Sequence, residues 1–536
     1  MRSSRGESEA YGAADLGSQT PHRAGWLATA LLCLGGSGSL AAQANDRVDV
    51  IIRGGSVYDG TGSASRRADV GIRGDRIVFI GAASSAGLTA TRTIDASGLV
   101  VSPGFVDPHT HTDADLAGLK TRSLIPFLMQ GVTTVVIGND GGGPFEVAAT
   151  LRHLATGIGV NAAILVGHGT VRGRVLGMAD RSPNADELEQ MRLLVSRAMK
   201  EGAFGLSTGL YYAPGSYAST EEIIELAKVA ASYHGYYDSH IRDESSYTIG
   251  LVGAVDETIR IGREAGLPVH FAHIKALGVD VWGQSDVVVS RVLAARASGI
   301  RVTADQYPYA ASGTSILAAL LPRWAEAGGR DSLRHRLDDS TTRAKISREM
   351  TENLRRRGGP ETLLITEGRW KGKRLAAVAS ETKVEPIDAA IAIIRAGDAA
   401  LASFNMNDAD IERFMQQPWV VTGSDGSDGH PRKYGTFPRK IRWYGLDHGV
   451  VSFARAIEAS SSQTAAIVGL RDRGAIAVGM FADVIVFDST QLADRATYEK
   501  PRELAVGMRY VFVNGRLAVD RSKPTGLLAG RPLTRP

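Results

Sequence analysis

The chain has 536 residues, of which 43% are hydrophobic and 22% charged, with a formal net charge of +4. This length exceeds what one small core requires, and the composition is that of a globular rather than a disordered protein. The mild charge, without basic runs interleaved with aromatic residues, argues against nucleic acid as a partner.

The first 44 residues have the features of an export signal. Arg23 precedes an apolar stretch over residues 25–40, and Ala42-Gln43-Ala44 fits a small-residue cleavage site. The stretch is too short and too rich in glycine to span a bilayer comfortably. We therefore expect residues 1–44 to be a signal peptide, with an uncleaved anchor as the alternative. The mature protein would be periplasmic or secreted, without a stable membrane span.

Two segments near the chain ends share one sequence texture. Short runs that alternate apolar and polar residues, separated by glycine-rich turns, fill residues 47–105 and return over 475–520. Alternation with a period of two predicts β-strands, here in antiparallel arrangement. Because the two segments flank a long middle part, we predict that residues 45–105 and 471–536 fold together into one small β-sandwich.

The middle part, residues 106–470, alternates strand-like and helix-like patterns. The helical patterns include residues 186–201 and 221–231, the latter with Thr220 as the predicted N-cap. Eight strand-like runs end near His109, Asp140, His168, Thr208, His240, His273, Tyr307 and Asp425. Repeated strand–helix units predict an α/β fold, a (β/α)₈ TIM-like barrel.

The seventh and eighth predicted strands are separated by far more residues than one crossover helix needs. We therefore predict an insertion at about 315–410. Its pattern favours a helical structure set over the mouth of the barrel.

Metal-binding residue types follow four of the predicted strands. His109 and His111 are two residues apart, so strand alternation points both to one side, and Asp107 on the same face is placed to orient a ligand. His240 and His273 end later strands, and Asp425 ends the eighth. Since the carboxyl ends of barrel strands meet at one face, the pattern predicts one site for one or two hydrolytic metal ions.

Several longer stretches resemble the metal-dependent amidohydrolase superfamily, and within it the N-acyl-D-amino-acid deacylase (D-aminoacylase) group. The resemblance covers nearly all of the chain after residue 44. The matching stretches are residues 102–111, 131–139, 205–212, 307–309, 430–439 and 474–488.

This resemblance implies hydrolysis of a linear amide bond, most specifically of an N-acyl-D-amino acid to a carboxylate and a free D-amino acid. His109, His111 and Asp425 would bind one metal position, and His240 and His273 the other. The implied cofactor is Zn²⁺, as one or two ions, with Mn²⁺ or Co²⁺ as alternatives. Asp425 would be the catalytic residue, acting as general base and then as general acid on metal-activated water.

One position departs from the deacylase group. Its members usually carry a cysteine ligand after Gly-Asn at the second strand, where this chain has Asp140, and its only cysteine is Cys33. A carboxylate is a harder ligand than a thiolate and can bridge two ions. We predict that Asp140 is a metal ligand; the alternative is that it does not bind the metal.

An N-acyl amino acid carries a carboxylate, which charge-assisted hydrogen bonds would bind. Lys275, on the same strand face as His273, and Arg432, after the eighth strand, are the predicted cations. Tyr307 would add a phenolic hydrogen bond. His168, in Gly-His-Gly after the third strand, is interpreted as a packed residue rather than a ligand.

Two other functions stay open at this stage. The metal site alone is equally compatible with a dipeptidase or a cyclic-amide hydrolase of the hydantoinase type. A binding protein of amidohydrolase fold that has lost catalysis is the remote alternative, which the Cys-to-Asp change alone supports. Stereochemistry, acyl preference and oligomeric state do not follow from the sequence.

Overall fold

A computed structural model describes residues 47–535, so the predicted signal peptide lies outside the described residues. The chain opens with strands β1 to β5, which are Arg47–Val57, Arg66–Arg73, Arg76–Gly81, Thr89–Asp95 and Val100–Pro103. Strands β1, β2 and β3 pair antiparallel, as predicted. Strands β4 and β5 instead run parallel to β1. The antiparallel prediction is wrong there because the intervening β2–β3 hairpin supplies the long crossover that parallel pairing needs.

The middle part is built on short parallel strands. They are β6 Phe105–Asp107, β7 Val132–Ile137, β8 Asn161–Ile164, β9 Val166–Gly167, β10 Gly205–Gly209, β11 Tyr236–His240, β12 Val269–Phe271 and β13 Val302–Gln306. Strands β6, β7 and β8 form one sheet, and β9 to β13 pair in chain order in a second. These strands lie at the positions predicted for the first seven.

Helices connect these strands. Helices α1 to α8 are Asp113–Ala117, Ile125–Leu128, Val147–Leu154, His168–Leu176, Ala185–Lys200, Thr220–Ser232, Gly250–Ala265 and Ser285–Ala297. A reciprocal capping box between Asn184 and Glu187 starts α5. The N-cap of α6 is Ser219, whose hydroxyl accepts from the Glu222 amide, so the prediction of Thr220 is wrong by one residue.

The predicted insertion has an apolar core of its own, drawn from residues 316–401. Its elements are β14 Ala311–Ser315, α9 Ile316–Leu320, α10 Gly329–Asp338, α11 Ser340–Arg356, β15 Leu363–Ile365, α12 Leu375–Thr382, α13 Pro386–Arg395 and β16 Ala400–Phe404. The helical prediction is incomplete, because β14, β16 and β15 form an antiparallel sheet. Strands of three to five residues are too short to show a periodicity that separates them from helix.

The chain then returns to the parallel strands. The elements are α14 Asp408–Met415, β17 Val420–Thr422, α15 Arg432–Arg439, a π-helix at Lys440–Asp447, α16 Phe453–Ser460 and α17 Ser462–Val468. Strand β17 pairs with β13. Just beyond β17, Gly426 forms a parallel bridge with Thr110, which follows β6. The ends of the first and last parallel strands therefore touch.

The C-terminal strands join the N-terminal ones. They are β18 Val484–Phe487, β19 Met508–Val513, β20 Arg516–Asp520 and β21 Lys523–Pro524. Strand β18 pairs with β5, so both chain segments belong to one nine-stranded sheet. The two ends of the described chain therefore contribute strands to the same sheet. Within residues 47–535, no helix is both long and apolar enough to cross a bilayer.

A buried polar network fastens this sheet to the parallel strands. The Asp483 carboxylate forms an ion pair with Arg473 and accepts from the Asn161 side chain of β8 at 3.2 Å and from the Asn514 backbone at 2.7 Å. The side-chain amide of Asn514 in turn donates to the side-chain carbonyl oxygen of Asn161 at 2.8 Å. The charge of Arg473 is thus neutralised in the interior by one carboxylate.

We expect Asp483→Ala to lower the free energy of unfolding by about 3–5 kcal/mol, because it leaves the buried Arg473 guanidinium without its counter-charge. Urea denaturation measures the change. Asp75→Ala is the matched control, since Asp75 pairs with Arg531 at the surface, and its loss should cost less than about 1 kcal/mol. Equal losses in the two variants would contradict the role given to the buried pair.

Candidate metal centre and active site

The six predicted metal-site residues converge at the carboxyl ends of the parallel strands. His109 and His111 follow β6, Asp140 follows β7, His240 ends β11, His273 follows β12 and Asp425 follows β17. All but His111 and Asp140 are buried, and the His111 side chain is 35% exposed. The structure therefore brings all six together at one face of the sheets.

The Asp140 carboxylate contacts all four histidine rings. Its Oδ1 lies 3.4 Å from Nε2 of His109 and 3.6 Å from Nε2 of His273. Its Oδ2 lies 3.5 Å from Nε2 of His111 and 3.4 Å from Nδ1 of His240. Asp140 stands where the deacylase group usually has a cysteine, and it lies at the centre of the cluster, between both histidine pairs.

Asp425 joins the histidine cluster to a cation. Its Oδ1 lies 3.0 Å from Nε2 of His111 and 3.7 Å from Nε2 of His109, while Oδ2 lies 2.7 Å from Nη1 of Arg432. Burial raises the pKa of Asp425, but the positive charges of Arg432 and His273 outweigh it and hold the pKa well below the usual range. The group is therefore an ionised carboxylate at neutral pH.

Three of the converging residues have left-handed backbone. The φ angles are 53° for Asp140, 35° for His273 and 47° for Asp425. Such angles are unfavourable for residues other than glycine and persist only where the surrounding structure imposes them. All three occur just after a strand, where the backbone turns away from the sheet.

The residues present fit a divalent metal ion. Both ring nitrogens of His109, Nε2 of His240 and Oδ1 of Asp140 are buried without a hydrogen-bond partner among residues 47–535. Their neighbours supply sets of imidazole nitrogens and carboxylate oxygens within 4.8 Å of one another: His109 with His111 and Asp425, and His109 with Asp140 and His273. Such mixed nitrogen and oxygen donors suit Zn²⁺, Mn²⁺ and Co²⁺.

The electrostatics of the histidines agree with this fit. Burial lowers the pKa of His109 to about 4, which leaves the ring neutral, as a metal ligand must be. Burial also disfavours charge on His111, but its contacts with Asp140 and Asp425 prevail and raise its pKa to about 10. The carboxylates therefore stabilise positive charge at the centre of the cluster.

Glu244 is a site residue that the sequence analysis missed. Its Oε1 lies 3.1 Å from Nδ1 of His273 and 2.5 Å from Nζ of Lys275, and its Oε2 lies 3.8 Å from Nε2 of His240. Only its spacing four residues after His240, in a charged run, could have indicated it. The Lys275 ammonium is thus neutralised by Glu244 and also contacts Nδ1 of His273 at 2.6 Å.

Further carboxylates brace the centre from below. Asp305 lies 3.9 Å from Nδ1 of His109 and 3.1 Å from Nε2 of His270. Asp107 accepts from the backbone amides of Ser424 at 2.9 Å and His109 at 3.3 Å. Asp107 therefore orients the backbone of both strand ends rather than an imidazole ring.

The cluster opens into a cavity of about 320 Å³, within the range of small-molecule sites. Lys275, Tyr307 and Arg432 all line it, as the substrate-binding prediction requires. The Arg432 guanidinium lies 4.7 Å from the Tyr307 ring centroid, and the Tyr307 hydroxyl is buried without a partner in the described part of the chain. His168 does not line the cavity; its Nε2 contacts Glu222 at 2.8 Å.

Comparisons with known proteins agree with this geometry. The model of the amidohydrolase family matches residues 92–519. D-aminoacylase of Alcaligenes xylosoxydans xylosoxydans is 36% identical over 517 residues, which is 91% of this chain and 98% of that protein. The chain therefore belongs to the amidohydrolase family, and its resemblance to the D-aminoacylase group is confirmed.

Two solved structures are also similar. A D-aminoacylase with a binuclear metal centre superposes with a TM-score of 0.78 at 35% identity, covering 91% of this chain and all of that one. The N-acyl-D-glutamate deacylase of Bordetella bronchiseptica, in complex with zinc and a phosphonate inhibitor, gives a TM-score of 0.78 at 31% identity with the same coverage. Both agree with a mixed α/β hydrolase fold.

We expect Asp140→Ala to lower the amount of bound zinc per chain, because it removes the only carboxylate that contacts all four histidines. Elemental analysis of dialysed protein measures the ratio. Asp428→Ala is the control: Asp428 lines the same cavity but pairs with Lys433, and zinc content should not change. An unchanged ratio in Asp140→Ala would remove Asp140 from the ligand set.

Proposed function

We propose that this protein is a metal-dependent deacylase of N-acyl-D-amino acids, releasing a carboxylate and a free D-amino acid. The observation that carries the proposal is the Asp425 carboxylate, which contacts His111 with one oxygen and Arg432 with the other. An amide carbonyl and an adjacent α-carboxylate need a hydrolytic metal centre and a cation side by side. The two contacts of Asp425 place the proposed metal centre, at His111, next to a cation, Arg432, in one cavity.

The metal ligands in this proposal are His109, His111, Asp140, His240, His273 and Asp425. The supporting facts are their convergence and the unpartnered nitrogens of His109 and His240. We propose Zn²⁺ as the cofactor, in one or two ions, with Mn²⁺ or Co²⁺ as alternatives. When bound, such an ion makes water a stronger acid and polarises the scissile carbonyl.

Asp425 performs the proton transfers. As an ionised carboxylate facing the histidines, it accepts a proton from the attacking water and then delivers it to the leaving amine. Its second oxygen is held by Arg432, so the acceptor oxygen is the one that faces His111. Arg432 therefore orients the base as well as lining the substrate cavity.

The substrate carboxylate is bound by Arg432 and Tyr307 in this proposal. The Arg432 guanidinium lies over the Tyr307 ring, both residues line the cavity, and the Tyr307 hydroxyl has no hydrogen-bond partner within residues 47–535. Lys275 can offer the substrate fewer hydrogen bonds than its sequence position suggested. Of its three ammonium donors, one is used by Glu244 and one faces His273, which leaves one for a ligand.

We infer that the parallel strands close into the predicted (β/α)₈ barrel over residues 106–470, since the Thr110–Gly426 bridge links the first strand end to the last. The nine-stranded sheet would belong to the predicted β-sandwich of residues 45–105 and 471–536. The insertion at about 315–410 would be a separate part, placed between the seventh and eighth strands of the barrel.

We also propose export to the periplasm or beyond, supported by the sequence pattern of residues 1–44. N-terminal sequencing of the protein recovered outside the cytoplasm should begin at Asn45. A protein that is recovered only in the cytoplasm and retains residues 1–44 would refute this proposal.

The zinc-loaded protein should release amine from N-acetyl-D-amino acids and much less from the L series. Asp425→Asn should keep the fold but lose about 10²–10⁴-fold in turnover, because the amide cannot accept the proton. Amine assays on both series, with the metal content measured in each sample, test this.

Near-wild-type turnover in Asp425→Asn at equal metal content would remove Asp425 from the mechanism. Turnover of neither series by metal-loaded wild-type protein would refute the deacylase proposal. Dipeptides and cyclic amides would then be the next substrates to assay.

A further inference from the structure

The cavity has a third basic side chain that neither the metal centre nor the proposed mechanism uses. Three Lys or Arg residues line it: Lys275, Arg432 and Arg357. Lys275 is neutralised by Glu244 and Arg432 by Asp425. Arg357, the C-cap residue that follows helix α11 of the insertion, is 1% exposed and has no ion pair with any carboxylate in residues 47–535.

Every protein partner of the Arg357 guanidinium is neutral. Nε donates to the carbonyl of Ala319 at 3.1 Å, and Nη2 donates to the Tyr211 hydroxyl at 3.1 Å. The Asn405 amide, oriented so that both of its ends are satisfied, accepts from Nη1 at 3.2 Å. These contacts fix the fork in place but leave its full positive charge uncompensated. A buried charge without a counter-charge is costly, so an anion that enters the cavity is strongly favoured there.

The position of Arg357 relative to the metal centre is set by Tyr211. The Tyr211 ring stacks on the His240 ring, with centroids 5.7 Å apart and an angle of 27° between the planes. Its hydroxyl, at the far end of the same side chain, accepts from Arg357. The guanidinium therefore stands one tyrosine side chain away from a metal-site histidine, on the side of the strand β10 loop. Arg432 approaches from α15 after β17.

The wall beside Arg357 carries a second unused polar group. Tyr247 lines the cavity with its ring centroid 5.7 Å from the guanidinium carbon of Arg357. Its hydroxyl is buried and has no hydrogen-bond partner in the described chain. An oxygen ligand at Arg357 would have this hydroxyl as an additional donor nearby.

We propose that Arg357 binds a second carboxylate of the substrate, so that this enzyme prefers N-acyl-D-amino acids with two carboxylates over those with one. This inference rests on the proposed deacylase function and names its substrate class. The first carboxylate is held at Arg432 and Tyr307, and the second at Arg357. The second carboxylate can come from the amino-acid side chain, as in D-glutamate, or from a dicarboxylic acyl group, as in an N-succinyl substrate.

Two substrate pairs of equal shape test this. N-acetyl-D-glutamate is compared with N-acetyl-D-glutamine, and N-succinyl-D-methionine with its succinamoyl analogue. In the wild-type zinc enzyme we expect kcat/KM for the acid to exceed that for the amide by about tenfold to a hundredfold in one pair, the range of a charge-assisted hydrogen bond. The pair that shows the preference identifies the source of the second carboxylate.

Arg357→Met should abolish this acid-over-amide ratio, and Arg357→Lys should retain part of it. Arg323→Met is the matched control: Arg323 lies 4.4 Å from the Tyr211 ring centroid but is paired with Glu326 and does not line the cavity. Its acid-over-amide ratio should equal that of the wild type. A purely structural Arg357, fastening α9 to α11, would lower kcat/KM for acid and amide alike.

The proposal is overturned if the wild-type enzyme hydrolyses the acid and the amide of both pairs equally well. This needs no variant, so misfolding of Arg357→Met cannot obscure it. An acid preference that survives in a folded Arg357→Met protein overturns it as well. Hydrolysis of neutral N-acetyl-D-amino acids without acid preference would refute only this inference. Turnover of none of these substrates would refute the deacylase function itself.

Discussion

The site depends on the contact between the ends of the first and last parallel strands. The Asp425 amide donates to the His109 carbonyl at 2.9 Å, and the His111 amide donates to the Gly426 carbonyl at 3.1 Å. Asp107 adds a side-chain acceptor for the Ser424 amide across the same junction. More than three hundred residues lie between these segments. Without this junction, the two histidines after β6 and the carboxylate after β17 would not share one site.

The second constraint is the pairing of buried charges around that junction. Asp140 contacts four imidazoles, Asp425 contacts Arg432, and Glu244 contacts Lys275. Each carboxylate thereby has a cationic or hydrogen-bond-donating neighbour that makes its burial tolerable. The arrangement also separates roles. Both carboxylates line the cavity, but Asp140 contacts the histidines, whereas Asp425 also contacts Arg432.

The sequence was most informative where residue types that bind metals follow directly after predicted strands. The six candidate metal ligands could be placed because each lies at the end of an apolar run, and parallel strands bring such ends together. The family resemblance then ordered them into a known kind of site. Glu244 was not found because it lies four residues beyond the end of β11, in a loop whose course no periodicity predicts.

Other features depended on tertiary structure that the sequence pattern does not encode. The parallel pairing of β1 with β4 reverses a local expectation because the β2–β3 hairpin between them supplies the crossover. The small sheet of β14, β15 and β16 was missed because its strands are too short to show a β periodicity. Arg357 gave no signal at all, since a basic residue at the end of a helix is ordinary until its burial and its partners are known.

A carboxylate at position 140 presents two donor atoms to the histidines. A sulfur atom offers a single donor, whereas the two Asp140 oxygens face different histidines: Oδ1 faces His109 and His273, and Oδ2 faces His111 and His240. One rigid group thus couples both histidine pairs. Its left-handed backbone, with φ of 53°, fixes that orientation at a conformational cost.

Placing Arg357 in the insertion separates recognition from the metal centre. The insertion has its own apolar core over residues 316–401, so α9 and α11 hold the guanidinium through packing that does not involve the parallel strands. The Tyr211 hydroxyl and the Tyr247 ring join it to the loops that follow β10 and β11. Substitutions within the insertion can therefore alter the charge of the cavity wall while the strand-end ligands stay in place. In this architecture, the chemistry belongs to the strand ends, and the charge of the preferred substrate is set by an inserted segment that covers them.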